Sequence, residues 1–134
     1  MFRKYINFSE TISKIRATLH KKFIDAIKYA KDRGIKEVSL LSHGGKLTLP
    51  FFKMMVEAGV DWITISADGV GATYESIRKP LKFDVLLNNL KSIQQFKEEH
   101  KLKRPVIKVQ GIWPAIVESG VDAYYDTFKP YTDL

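Results

Sequence analysis

Apolar residues recur along this chain with two alternating periods, and the alternation predicts its elements. Leu19, Phe23, Ile27 and Ala30 stand at helical spacing with Ile24 beside them, while Lys21, Lys22, Asp25, Lys28 and Asp32 take the other side. Arg33 in the last turn and Gly34 just beyond it mark a helix end. Glu37–Leu41 reads as a strand leading into the polar loop Ser42–Lys46. A second helix follows, with Thr48 as N-cap, Pro50 in the first turn, a core face of Phe51, Phe52, Met55 and Val56, and Gly59 as its stop. Trp62–Ser66 is the next strand, and Ala72–Arg78 a short helical turn ended by Pro80.

Phe83, Leu86, Leu87, Leu90, Ile93 and Phe96 set the apolar stripe of a long helix over Phe83–His100. Pro105–Gln110 is the third clear strand, Pro105 being tolerated at a strand's first residue. After Trp113-Pro114 the pattern predicts mostly loop, with a short helix over Asp122–Phe128. At the amino end, Tyr5–Phe8 reads as a short strand and Ser9 as the N-cap of further helical patterning.

Alternating helix and strand calls for a parallel sheet with right-handed crossovers. The pattern suits an open doubly wound sheet or part of a barrel. Three or four strands cannot close a barrel, which takes about 250 residues when complete. Residues 1–134 form one domain, with no linker or repeat inside it. The expected sheet is therefore half of something, or a small open sheet that pairs with another copy.

Composition changes this picture in two respects. Twenty-two Lys and Arg against 15 acidic residues give a net charge of +7, carried mainly by Lys14–Lys36 and Lys97–Arg104. Those runs fall on outer helix faces and connections without interleaved aromatic residues, so a solvated basic surface is the expected reading and a nucleic-acid partner the lesser one. The absence of any cysteine excludes disulfides, thiolate zinc sites, thiol nucleophiles and protein-ligated iron–sulfur clusters on this chain. No run of apolar residues is long enough to span a bilayer and no secretory signal opens the chain, so the cytoplasm is the expected compartment.

Candidate chemistry gathers where the strands end. In parallel sheets ligands are met at the carboxyl ends of strands, which here carry Ser42 and His43, Ser66 and Asp68, and Gln110. The glycine-rich Ser42–Lys46 can present N–H groups to an anion, although it lacks phosphate-loop spacing and reads better as a plain turn. His43 is a candidate base or ligand without an obvious partner. Asp68 either faces the crevice or caps the turn into the next helix, and Arg78 either meets an anion or is a solvated last-turn cation. Asn88 and Asn89 are poor helix formers, so one of them is expected to point at something polar. Trp113 and Pro114 read as packing. Acidic pairs, zinc spacings and nucleophile elbows are missing, so no catalytic or metal-ligating residue is assigned.

Four stretches carry a resemblance. Lys36–Thr48 with its Ser-His-Gly-Gly-Lys turn, Glu57–Gly69 ending Ile-Ser-Ala-Asp-Gly, Ala72-Thr-Tyr-Glu-Ser-Ile-Arg78 and Phe83–Leu90 are similar to the central units of radical S-adenosylmethionine enzymes. Pro105–Trp113 and Ala123–Phe128 resemble the strand and connector that follow in members with an extra C-terminal cluster domain. The likeness runs from about Thr18 to the end. It implies an incomplete parallel (β/α) barrel, a TIM-like half-barrel of three to four strands with outer helices. It also implies a 4Fe-4S cluster held by a cysteine loop, and S-adenosylmethionine cleaved on that cluster to a 5′-deoxyadenosyl radical.

By position the resemblance makes Ser66 a contact to the methionine or ribose moiety, Asn88 a polar helix residue that reaches the cofactor carboxylate, and Gln110 a neighbour of adenosine. Ser42-His43-Gly44 stands where the family usually has Thr-Asn-Gly, which places His43 among the candidate cofactor contacts. The departures are large. The cysteine loop is missing, Lys14-Ile-Arg-Ala17 replaces the Gly-Gly-Glu-Pro that receives the cofactor amino group, and bulky Ile15 and Arg16 would block backbone approach there. The expectation is a core fragment truncated at both ends and unable to make the radical alone. It would self-associate through exposed sheet edges, or pair with a complementary chain as one piece of a split enzyme. The alternative is a non-enzymatic module that binds a nucleoside-like ligand.

Overall fold

The computed structural model describes residues 17–134, with side chains from Lys21 onward. The strand expected at Tyr5–Phe8, the Ser9 cap and the Lys14–Arg16 position lie outside the described residues. In chain order the elements are α1 (Ala17–Asp32), β1 (Ser39–Ser42), α2 (Leu49–Ala58), β2 (Trp62–Ser66), α3 (Gly71–Ile77), α4 (Phe83–Glu99), β3 (Val106–Gln110), α5 (Trp113–Ser119) and α6 (Val121–Phe128). A single 3-10 turn, Lys129–Tyr131, follows.

Glycine ends two of these helices as its backbone freedom allows. Gly59 adopts φ 88°, and its N–H bonds back to Val56 O while that of Val60 reaches Met55 O. Gly34, at φ 81°, closes α1 in the same way, with Ile35 N–H on Ala30 O. Thr48 does occupy the N-cap of α2, but its side chain makes no capping bond. Residues after Trp113 form helix where loop was expected. Pro114 sits in the first turn of α5, a place where its missing N–H costs nothing.

The three strands are parallel and lie in the order β1-β2-β3, with Leu40 opposite Ile63 and Ile63 opposite Ile107. Right-handed crossovers in an order that never reverses put the connecting helices on one face of the sheet. Among the described residues the strand order does not reverse, so these three strands contain no switch point. Burial follows from this. Leu40, Ile63, Ile65 and Ile107 are buried under the helices. The opposite face carries Ser39, Leu41, Trp62, Thr64, Ser66, Val106, Lys108 and Gln110, none of them fully buried. On that face the indole N–H of Trp62 finds no acceptor among the described residues.

Aromatic rings join the helices into one layer. Phe23 meets Phe51 between α1 and α2, Phe52 meets Phe96 between α2 and α4, and Phe83 meets Phe128 between α4 and α6. Leu86, Leu90 and Ile93 fill the space beneath them, each stabilising the fold by about 2 kcal/mol through burial. The basic residues Lys21, Lys22 and Lys28 are exposed on α1. No helix among the described residues is long and apolar enough to cross a membrane.

Two buried ionic groups fasten the sheet. At the amino ends of the strands the Asp61 carboxylate accepts the Val38 N–H at 2.8 Å, Lys31 Nζ at 2.9 Å and Arg104 Nη1 at 2.9 Å. At the outer side of β3, Lys97 of α4, only 3% exposed, donates to Pro105 O at 2.7 Å and to the Asp133 carboxylate. Asp133 in turn accepts Ile107 N–H at 2.8 Å, and Val109 N–H donates to Leu134 O at 3.1 Å. The last two residues thus bond along β3 as a neighbouring strand would. The expected exposed edge is covered on this side.

Burial pushes the Asp61 carboxyl up, but the Lys31 and Val38 hydrogen bonds and the Lys31 and Arg104 charges outweigh it and hold the pKa below its ordinary 3.8. A carboxyl with a lowered folded-state pKa stabilises the fold above 3.8, and that stability is lost as pH falls through the lower folded value. Asp61→Ala, which strands the buried Val38 N–H and two cations, is expected to lower unfolding stability by about 2–4 kcal/mol in urea titrations. Its stability should also lose part of the acid dependence of the parent chain.

Candidate functional site

Parallel strands bring three chain exits to one end of the sheet, and the residues just past them build the site. Ser66 and Gln110 are register partners, so both project from the face opposite the described connecting helices. The Ser66 hydroxyl is partly exposed and makes no hydrogen bond to any described residue. Gln110 is exposed, while its carbonyl accepts Ala67 N–H at 2.8 Å. A hydroxyl and an amide therefore stand side by side and uncommitted.

The β1 exit is a double side-chain turn. Ser42 Oγ accepts Gly44 N–H at 3.1 Å, and His43 Nδ1 accepts Gly45 N–H at 3.1 Å. Those N–H groups are consumed locally, so the plain-turn reading of this loop holds and no anion cradle remains. Gly44 has φ 76°, and a Cβ there would come within 2.4 Å of Leu86 Cδ1. Burial lowers the His43 pKa, and the Arg78 and Lys46 charges lower it further. The ring is neutral at pH 7 with its proton on Nε2, because Nδ1 is the acceptor.

Asn89, not Asn88, turns inward. Its amide donates to Gly44 O at 3.1 Å. Asn88 is exposed on α4, whose Leu86 and Leu90 face the sheet. Since α4 covers the helix side of the sheet, Asn88 and Ser66 lie on opposite sides of it. The structure brings Ser66 and Gln110 together and leaves Asn88 apart, with His43 in the loop at the head of β1.

Asp68 and Arg78 are paired with each other. Arg78 Nη2 and Nε bond Asp68 Oδ2 at 2.6 and 2.8 Å, and the other carboxylate oxygen accepts Ile112 N–H at 3.0 Å. The Asp68 carboxylate thus ties the β2 exit to the end of α3 and the start of α5. It does not cap α3, whose N-cap is Val70 without a side-chain bond. Val70 N–H instead reaches Ser119 Oγ at 3.0 Å, and the Tyr124 hydroxyl donates to Ala67 O at 2.8 Å. Burial and then the Asp68 charge push the Tyr124 pKa up to about 12, so the hydroxyl stays a donor at any physiological pH.

Sequence reasoning missed Ser119 and Tyr124, whose partners lie 49 and 57 residues away. Trp113, expected to pack, is 64% exposed beside this end of the sheet, next to exposed Ile112. No cluster of metal-binding side chains exists among the described residues. Compared with known proteins, the chain matches no family model and no curated protein.

The β2 and β3 exits touch so closely that only glycine fits between them. A Cβ on Gly111 would lie 2.4 Å from Ala67 O and 3.0 Å from the Tyr124 hydroxyl. Gly111→Ala is expected to cost about 2 kcal/mol or more in thermal or urea unfolding, because the obstacle is backbone and cannot swing away.

Proposed function

We propose that this chain is a section of a radical S-adenosylmethionine-like (β/α) barrel that supplies one wall of a nucleoside-type crevice and does not itself generate a radical. The single-layer winding supports the barrel reading, since sequential right-handed units leave one face bare where a barrel has its interior. The uncommitted Ser66 hydroxyl beside the Gln110 amide on that bare face carries the ligand reading.

The iron–sulfur part of the family's equipment does not fit this chain. It has no thiolate to ligate iron, and no step is routed through a cluster. S-adenosylmethionine fits in part. Ser66 and Gln110 offer donors and acceptors suited to ribose hydroxyls or an adenine edge, while Asn88 is turned away and His43 Nδ1 is already bonded. In the family the cofactor supplies the radical precursor; the residues here bind and orient only. A complementary chain that brings the cysteine loop would make this one piece of a split enzyme, and without it the chain is a binding module.

Calorimetric titration with S-adenosylmethionine and S-adenosylhomocysteine tests the ligand reading. Millimolar-range binding is expected, weakened about tenfold in Ser66→Ala or Gln110→Ala by loss of one hydrogen bond each. Absence of heat at millimolar ligand, or equal binding by both variants, would sink it. Anaerobic incubation with iron and sulfide should leave the isolated chain without cluster absorbance.

A further inference from the structure

The β1–α2 loop depends on an imidazole used as a hydrogen-bond acceptor, and an imidazole can accept only while neutral. His43 Nδ1 receives Gly45 N–H at 3.1 Å, the part that an Asn or Asp oxygen plays in the turn formed by a side chain and the N–H two residues on. Around this bond the loop is fixed on every side. Gly44 O takes the Asn89 amide, His43 O takes a long bond of 3.4 Å from the Tyr74 hydroxyl, and Leu47 N–H closes on Gly44 O at 3.1 Å. A Cβ on Gly45 would lie 2.8 Å from Leu81 Cδ2 and 3.3 Å from His43 Nδ1.

The charges that face the ring are one-sided. Arg78 at the end of α3 and Lys46 in the loop are the cations acting on it. Asp68 already pairs with Arg78, and α4 presents Leu86 and Asn89 without charge. Tyr74 adds a neutral hydroxyl whose own pKa is raised. A second proton on this half-buried ring would set an N–H against the Gly45 N–H and add positive charge beside two cations.

We propose that His43 is a pH-operated latch on the β1–α2 loop, holding the loop shut through Gly45 when neutral and releasing it when protonated. The direction of linkage agrees. With the folded-state pKa lowered from 6.5, the latch contributes its full stability above 6.5 and loses it as pH falls towards the lower folded value. Release frees the Gly45 N–H at the head of β1 while the Gly44 N–H stays on Ser42 Oγ, so acidification opens one donor of the polar rim. The latch is independent of whether a nucleoside-type ligand binds.

Solution NMR of the unliganded chain between pH 8 and pH 5 tests this. At pH 8 the His43 ring nitrogens should show the Nε2–H tautomer. The Gly45 amide shift should titrate with the His43 ring, and its exchange protection should fall about tenfold for each pH unit by which the folded pKa is depressed. His43→Asn, which keeps an acceptor that does not titrate, should retain Gly45 protection at pH 8 and lose its pH response. An Nδ1–H tautomer, a Gly45 amide indifferent to the His43 titration, or an unchanged pH response in His43→Asn would each overturn the proposal. Should the variant not fold, the tautomer and the Gly45 titration of the parent chain decide alone, with His100 as the control ring on the far end of α4.

Discussion

The sheet depends on one carboxylate. Asp61 precedes β2, and its backbone and side chain together hold the approaches to all three strands. Its N–H donates to Val38 O, its carbonyl accepts Val106 N–H, and its carboxylate takes Val38 N–H with Lys31 and Arg104. Register in a parallel sheet of four- and five-residue strands is weakly fixed by the ladder alone, and a slip of one residue would turn Ile63 and Ile65 out of the core. A fixed anchor at the starting end removes that freedom. Everything at the opposite end, including the alignment of Ser66 with Gln110, inherits its register from there.

The carboxyl end uses a different device. There the chain turns sharply out of each strand, and side chains from later helices return to the exits. Arg78, Ser119 and Tyr124 each satisfy a group belonging to Asp68, Val70 or Ala67. The polar groups left over are few, so Ser66 and Gln110 stand out by lacking partners, not by any special chemistry of their own. His43 lies between the two situations, bonded to Gly45 through the same nitrogen, Nδ1, that a second proton would occupy.

Much of this was legible along the chain because its cause is local. Gly34 and Gly59 end helices through backbone freedom, and the β-branched run at Trp62–Ser66 forms a strand where its period says. The stripe from Phe83 to Phe96 reports the buried side of α4 for the same reason. What could not be read depends on distant partners. Lys97 occupies a core position in an otherwise ordinary stripe, and a lysine there makes sense only with Asp133, 36 residues on. Asp61 shows no local sign of its role, since its three partners are 23, 30 and 43 residues away. Mostly loop was expected after Trp113-Pro114, whereas Pro114 stands in the first turn of α5, where its missing N–H costs nothing. At the site, Ser66 and Gln110 stand as register partners at the strand ends, but helical position alone could not say which of Asn88 and Asn89 faces inward.

The short tail beside β3 gives the sheet a handed boundary. Asp133 and Leu134 satisfy Ile107 and Val109 on that edge, and Lys97 locks the tail from behind. Among the described residues no strand lies outside β1. A strand added to the described sheet from outside thus has one side to join. The fastened tail leaves β3 without open N–H groups at Ile107 and Val109 for another strand to take.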